Sequence, residues 1–264
     1  DNSSLKFFTN LFSNKISDQN INFVNSKFFY LDQNDDVIFL ADIKKMNYLY
    51  SEKLLNEIKS KLKIFNLPIS LEAQHELLNK KIISKIDFKS LKLNINNQMF
   101  FDENELNGQL DFNILKKNKK INYIFRGKEL IFNSDDKKIN GSISIKPFFL
   151  SSNLNLRKIE VKKFLKNDSI VTNLIKSEIL NNKNLNGKIS IFADNLNDLK
   201  YVDAINFDIQ FEEGMILINN LNFIFKDSVI VNLDEVNLIV EENKLKLFGD
   251  ITLDFKDIDK FYSH

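Results

Sequence analysis

The sequence contains no cysteine and no tryptophan, and only two histidines and two prolines in 264 residues. The absence of cysteine excludes disulfides, thiolate metal sites and a cysteine nucleophile. His264 is the last residue, where a chain end frays by default, so His75 stands alone and no histidine-based triad or metal site is expected. Walker and dinucleotide-binding glycine motifs are absent as well. We therefore expect no catalytic residue, no metal, no cofactor and no enzymatic activity.

The chain also lacks an excess of charge and any long hydrophobic run. Its 37 lysines and arginines nearly balance 36 aspartates and glutamates, with the signs interspersed, so nucleic acid is not an expected partner. The longest apolar runs, such as 37–41, fall far short of the roughly 18 residues that indicate a membrane span. Because the sequence begins at Asp1, we expect a processed protein or an excised fragment, so the missing membrane span says little about the full gene product.

The dominant feature that is present is an alternation of apolar and polar residues. Residues 203–211 read Asp-Ala-Ile-Asn-Phe-Asp-Ile-Gln-Phe, and a similar alternation fills residues 245–255. Successive side chains of a β-strand point to opposite faces, so each such segment has one apolar and one polar face. Many strands of this kind in series predict one extended apolar surface.

The predicted fold is mainly β: a long, curled antiparallel sheet forming an open groove. A short N-terminal helix is expected at residues 5–12, and a helical insertion around 162–180 divides the strand series. The predicted segments are therefore an N-terminal sheet at 1–160, the insertion or boundary at 161–182 and a C-terminal sheet at 183–264. Residues 51–66 fit a helix or a strand, and we favour a strand because both neighbouring segments alternate.

Two kinds of sequence signal predict where the sheet turns and bends. Asn-Gly pairs at 107–108, 140–141 and 186–187 favour hairpin turns, because Asn tolerates positive φ and Gly adopts it freely. The parity of the apolar residues changes at Lys89-Ser90 and near Asn219-Asn220, which predicts a bulge or tight bend at each place.

Seventeen apolar residues of the C-terminal segment are predicted to form one wall. They are Ile189, Ile191, Ile205, Phe207, Ile209, Phe211, Ile216, Ile218, Phe223, Phe225, Val231, Leu238, Leu245, Leu247, Ile251, Leu253 and Phe255. From the pattern alone this wall is either the lining of a groove or one side of an ordinary sandwich core. A groove indicates a ligand-binding segment, whereas a closed core indicates a structural or interaction scaffold. An enzyme resembling a carbohydrate-active β-helix would require a carboxylate cluster that one sequence does not reveal.

The C-terminal half resembles the AsmA-like family of bacterial envelope proteins. The resemblance rests on residues 184–191 (Asn-Leu-Asn-Gly-Lys-Ile-Ser-Ile), 205–209 (Ile-Asn-Phe-Asp-Ile), 213–218 (Glu-Gly-Met-Ile-Leu-Ile) and the terminal element 249–257 (Gly-Asp-Ile-Thr-Leu-Asp-Phe-Lys-Asp). The resemblance is in the residue pattern of the strand segments and in their spacing, over roughly residues 20–260.

The resemblance implies a periplasmic protein that is anchored to the inner membrane and curls its sheet into a lipid-transfer groove. The expected partners are phospholipid or another acyl lipid, the envelope membrane through an anchor outside this chain, and other envelope proteins. The expected function is to bind or transfer lipid in support of outer-membrane assembly, with the seventeen residues as the lipid-binding wall.

Overall fold

The computed structural model describes residues 19–31, 35, 37–51, 55–101, 105–114, 117–145, 147–159, 177, 179, 182–197, 199, 201–241 and 244–262. These residues form sixteen strands and almost no helix. The strands are β1 (Gln19–Leu31), β2 (Val37–Tyr50), β3 (Leu55–Ile64), β4 (Leu67–Glu76), β5 (Lys81–Phe88), β6 (Leu93–Phe101), β7 (Leu106–Ile114), β8 (Lys117–Arg126), β9 (Glu129–Ser134), β10 (Ile139–Ile145), β11 (Phe148–Ile159), β12 (Asn186–Leu196), β13 (Val202–Glu212), β14 (Met215–Phe225), β15 (Val229–Glu241) and β16 (Lys244–Phe255). A 3-10 turn (Lys89–Leu91) follows β5, and helix α1 (Ile258–Tyr262) follows β16.

The sixteen strands lie in the sheet in chain order, and the sheet is not closed. The expected mainly β class is confirmed, but the expectation of a wholly antiparallel sheet is wrong. Strand β11 pairs with β12 in parallel, with Leu150 opposite Gly187 and Leu154 opposite Ile191. Parallel neighbours need a long crossover, and residues 160–185 supply it. The expected helices at 5–12 and around 162–180 fall outside the described residues, apart from Ser177 and Ile179.

The chain divides into two compact units, which are described separately. Unit 1 comprises residues 1–30 and 39–126, and unit 2 comprises residues 31–38 and 127–264. In unit 1, consecutive strands form hairpins, and the buried apolar residues include Ile43, Tyr48 and Ile69. In unit 2, the side-chain amides of Asn182 and Asn184 donate hydrogen bonds of 2.7 and 2.8 Å to the carbonyls of Ile38 and Val37.

Residues 55–64 form strand β3, which confirms the strand interpretation of the ambiguous segment. Strand β3 turns into β4 through Phe65-Asn66, whose φ angles of 51° and 60° are both positive, as a two-residue type I′ turn requires. Pro68 is the second residue of β4, beyond the last pair with β5, so its missing N–H removes no bond to that strand. The bend predicted at Lys89-Ser90 is confirmed by the 3-10 turn that joins β5 to β6.

The prediction that Asn-Gly pairs mark hairpin turns is wrong, because all three glycines lie inside strands. Backbone and side-chain atoms of the neighbouring strands occupy the space that each missing Cβ would fill. A Cβ on Gly108 would lie 2.5 Å from the Tyr123 hydroxyl, one on Gly141 would lie 2.8 Å from the Phe132 ring, and one on Gly187 would lie 3.0 Å from the Leu150 Cβ. These glycines therefore serve close cross-strand packing, not turn geometry.

Candidate functional site

Strand register places the predicted wall residues of unit 2 on one face of the sheet. Residues directly opposite each other on neighbouring strands share a face. One such chain of partners runs Ile189–Ile209–Ile218 across β12, β13 and β14, and another runs Phe223–Val231–Leu253 across β14, β15 and β16. We call this surface the apolar face of unit 2. It carries Ile189, Ile191, Ile205, Phe207, Ile209, Phe211, Ile216, Ile218, Phe223, Phe225, Val231, Ile251, Leu253 and Phe255.

The remaining three predicted wall residues are placed through their backbone positions alone. Leu238 is the register partner of Ile216 and of Leu247, and Leu245 is the register partner of Val240. These positions continue the rows of the apolar face through β15 and β16.

Two bulges keep the apolar face continuous where the sequence parity changes. In β14 the pairing with β13 shifts by one residue near Asn220, whose φ is 54°, so Ile218 and Phe223 share a face despite opposite parity. In β15 a matching irregularity at Glu235, with φ of 50°, shifts the pairing with β16. The bend predicted near Asn219-Asn220 is therefore confirmed as a bulge, the device by which sheets bend and twist locally.

The apolar face is only partly shielded from solvent. On this face Ile216 is buried, and ten other residues, from Ile189 to Val231, are half-buried. On β16, Ile251, Leu253 and Phe255 are 65, 51 and 41% exposed. The described residues form a single sheet in which β16 is an edge strand. Rows of large apolar side chains with this exposure exceed the scattered apolar residues that are normal on a protein surface.

The opposite face of the same strands is polar and hydrogen-bonded to itself. Asp208 accepts a hydrogen bond from the Ser190 hydroxyl at 2.6 Å on Oδ1 and one from the Asn220 amide at 2.8 Å on Oδ2, and the Lys188 ammonium lies 3.0 Å from the same Oδ2. Burial alone would raise the pKa of Asp208, but these three hydrogen bonds together hold that pKa below its usual value. Lys188, Ser190 and Asp208 thus form a charged cluster directly behind the apolar face.

Helix α1 packs on one end of the apolar face. The Phe261 ring lies 5.3 Å from the ring of Phe255 and 6.3 Å from that of Phe225. The Lys226 ammonium lies 5.3 to 5.7 Å from the rings of Tyr201, Phe225 and Phe261, a cation–π arrangement with three partners. One end of the apolar face is therefore closed by an aromatic cluster around a lysine.

Register also adds residues to the apolar face that the sequence interpretation left out. Leu221, Leu233 and Val236 are cross-strand partners of face residues, and Val236 is only 1% exposed. Leu150 and Leu154 extend the face into β11 through the parallel pairing. The alternation of residues 148–156 was a usable signal for the last two, but only the parallel register shows which face they occupy.

The described residues contain no group of three or more His, Asp or Glu side chains arranged to hold a metal ion. His75 lies in β4, where partial burial lowers the pKa of its imidazole and its ring lies 5.6 Å from that of Phe101.

Comparison of the sequence with protein-family models and with curated proteins returns no match. In the described part of the chain, no helix has both the length and the apolar character needed to cross a membrane.

Proposed function

We propose that this chain is a non-enzymatic lipid-binding segment whose apolar face shields acyl chains. The observation that carries the proposal is the continuous, half-exposed apolar face of unit 2, kept on one side of the sheet by two matched bulges. A sheet that is apolar on one face and polar on the other can contact acyl chains while its polar face stays in water.

The dimensions of the apolar face suit an acyl chain. Strands β12, β13 and β14 each have 11 residues, which at about 3.3 Å per residue span about 35 Å. An acyl tail occupies about 15 Å, half of a bilayer core. The five strands β12–β16, at about 4.8 Å spacing, add a width of about 20 Å. Each methylene removed from water contributes about 0.8 kcal/mol, so partial burial of two tails stabilises a complex substantially.

The resemblance to the AsmA-like family supports a place in the bacterial envelope for this activity. On that basis we propose a periplasmic location, attachment to the inner membrane through a segment outside this chain, and a role in lipid transfer during outer-membrane assembly. Phospholipid is the proposed cargo, and other envelope proteins are the proposed partners.

A structural or interaction scaffold is the second candidate function. Several residues of the apolar face and its margins are already closed to solvent: Ala193, Ile216, Val229 and Val236 are at most 5% exposed. If the whole face were covered in the same way, its phenylalanines would be ordinary core residues and would bind no lipid.

Lipid extraction and native mass spectrometry of the purified protein test the proposal directly. The lipid-binding function predicts co-purifying phospholipid, and a photoreactive phenylalanine analogue at Phe223 is expected to crosslink to it. The same analogue at Phe192 is the matched control, because Phe192 is 40% exposed on the opposite face as the partner of Asn206.

A pair of double variants separates the two candidate functions. Phe207→Asp with Phe223→Asp is expected to remain folded by circular dichroism and to lose bound lipid. The control, Phe192→Asp with Phe248→Asp on the opposite face, is expected to keep it. Unfolding of the first pair together with lipid-free wild-type protein would instead establish a closed core.

A further inference from the structure

Unit 1 contains a cavity of about 590 Å³ between strands β1–β4 and the turn after β5. Its lining includes five lysines: Lys27, Lys44, Lys61, Lys63 and Lys89. Register explains how they converge, because Asp42, Lys63 and Pro68 are successive cross-strand partners and Lys61 lies opposite Ser70 in the next row of the same face. We call this feature the basic cavity. Its volume lies within the range of ligand-binding pockets, about 300–1,000 Å³.

The charge of the basic cavity departs strongly from that of the chain. The whole sequence is almost balanced, whereas five lysines and a single carboxylate, that of Asp42, line this cavity. The one ion pair there joins Lys27 to Asp42 at 4.0 Å, and both side chains remain more than half exposed. Lys44, Lys61, Lys63 and Lys89 form no ion pair with any described residue. Like charges gathered at one place repel each other, so an anion that neutralises them is favoured there.

Irregular backbone brings the lysines together. The pairing of β2 with β3 shifts between Ile43 and Lys45, which makes Lys44 the extra residue of a bulge. On the neighbouring strand β1, Asn25 adopts a φ of 49°, a left-handed conformation uncommon for a residue other than glycine. Bulges redirect side chains and are frequent beside functional sites. The residues at both irregularities, Asn25 and Lys44, line the basic cavity.

We propose that the basic cavity binds a phosphate group, carried either by a lipid headgroup or by a small soluble anion. Lysine is a common phosphate ligand because its ammonium acts as a point charge with three donors. Donors for the phosphate oxygens are available in the hydroxyl of Ser70 and the amide of Asn25, which also line the cavity. The site belongs to unit 1 alone and does not depend on the lipid-binding function proposed for the apolar face of unit 2.

Titration of the whole protein with inorganic phosphate, followed by amide and lysine NMR signals, tests the site. Saturable shifts are expected at the lysines of the basic cavity, and Lys61→Gln with Lys63→Gln is expected to weaken binding about tenfold or more, the effect of losing one hydrogen bond to a charged group. The matched control is Lys128→Gln with Lys158→Gln. It removes two exposed lysines from unit 2 and has the same net charge as the Lys61/Lys63 variant. We expect it to bind phosphate like the wild type.

A flotation experiment identifies the source of the phosphate. Phosphatidylcholine vesicles are compared with vesicles that also contain phosphatidic acid, whose headgroup is an exposed phosphate monoester. Binding to the second type only, lost in the Lys61/Lys63 variant, assigns a lipid headgroup, whereas shifts with inorganic phosphate but no flotation assign a soluble anion. Absence of both, or an equal loss in the Lys128/Lys158 control, overturns the site. Lipid extracted from the apolar face reports on the other proposal and is unaffected by either result.

Discussion

Gly108 and Tyr123 are cross-strand partners on β7 and β8, and the tyrosine ring covers the glycine so closely that a Cβ there would lie 2.6 Å from the ring carbon Cζ. The position of the ring is fixed at its other end, because the Tyr123 hydroxyl donates a 2.8 Å hydrogen bond to the side-chain oxygen of the buried Asn97. The Asn97 amide in turn donates to the Ser84 hydroxyl at 3.2 Å. One chain of contacts therefore connects four neighbouring strands, β5, β6, β7 and β8.

Substitution of Gly108 by alanine is therefore expected to destabilise the protein by about 2 kcal/mol, the scale of overpacking in a close-packed site. The loss is measured as a lower midpoint of urea unfolding. Gly127→Ala provides the comparison, because that glycine has open space around it and only the cost of its positive φ of 61°. An unfolding midpoint for Gly108→Ala equal to that of the wild type would contradict the packing described here.

Unfolding at alkaline pH is expected to be coupled to the ionisation of two buried tyrosines, Tyr48 and Tyr123. Burial raises the pKa of Tyr123 to about 12, and burial with the nearby Tyr50 raises the pKa of Tyr48 to about 12. The unfolded chain ionises near 10, so it loses protons first and the free energy of unfolding falls as the pH rises from 10 to 12. The stabilisation is fully present below pH 10 and on the order of 2 kcal/mol for each tyrosine.

The measurement is tyrosinate absorbance recorded together with circular dichroism. Ionisation of Tyr48 and Tyr123 should coincide with loss of β structure, and Tyr123→Phe should make the alkaline limb shallower. Tyr262→Phe serves as the control, because that side chain is 79% exposed. Complete ionisation of all tyrosines below the unfolding pH would refute the assignment.

At acidic pH, protonation of Asp208 on the polar face of unit 2 is expected to lower the free energy of unfolding. Its pKa is lowered by the hydrogen bonds from Ser190, Asn220 and Lys188, which outweigh burial, so the carboxylate stabilises the fold above the unfolded pKa near 4. That contribution is lost as the pH falls through the lower folded pKa. Asp208→Asn should reduce stability at neutral pH by about 1 kcal/mol and flatten the acid limb of the stability profile. Asp254→Asn, an exposed position on β16, should leave both unchanged within error.

Lys226 is expected to hold helix α1 against the sheet. Lys226→Met keeps most of the aliphatic stem but removes the cation that lies near the rings of Tyr201, Phe225 and Phe261. Partly buried cation–π contacts contribute about 1 kcal/mol, so amide hydrogen exchange in residues 258–262 should accelerate about fivefold. Lys256→Met, an exposed lysine after β16, is the control. Unchanged exchange in α1 for the Lys226 variant would show that Phe261 alone anchors the helix.

Local alternation of apolar and polar residues predicted the strands well because each strand has one apolar and one polar face. The ambiguous segment at residues 51–66 contains strand β3, as expected, and the parity change near Asn219-Asn220 is a bulge. Fourteen predicted wall residues share a face because side-chain direction is a local property of an extended backbone. Whether that face binds lipid is a separate question, which alternation alone does not answer.

Errors arose where packing between strands decides the outcome. The Asn107-Gly108 pair was interpreted as a turn, yet Leu106, Gly108 and Leu110 have the same parity, so the alternation continues through the glycine. That continuity was the missed signal, and the missing partner was Tyr123, 15 positions later in the sequence. The parallel pairing of β11 with β12 and the convergence of lysines from four elements in the basic cavity likewise depend on register between distant segments.

The matched bulges at Asn220 and Glu235 also govern which changes of length the protein tolerates. Deletion of Asn220 alone would remove the extra residue of β14 and keep Ile218, Leu221 and Phe223 on one side of the strand, because the apolar residues would then alternate without interruption. A single lost codon at this bulge is thus less damaging than one in a regular part of the sheet, where a slip of one position exchanges the two sides of a strand. Tolerated deletions in related chains should therefore cluster at the bulges and in hairpins.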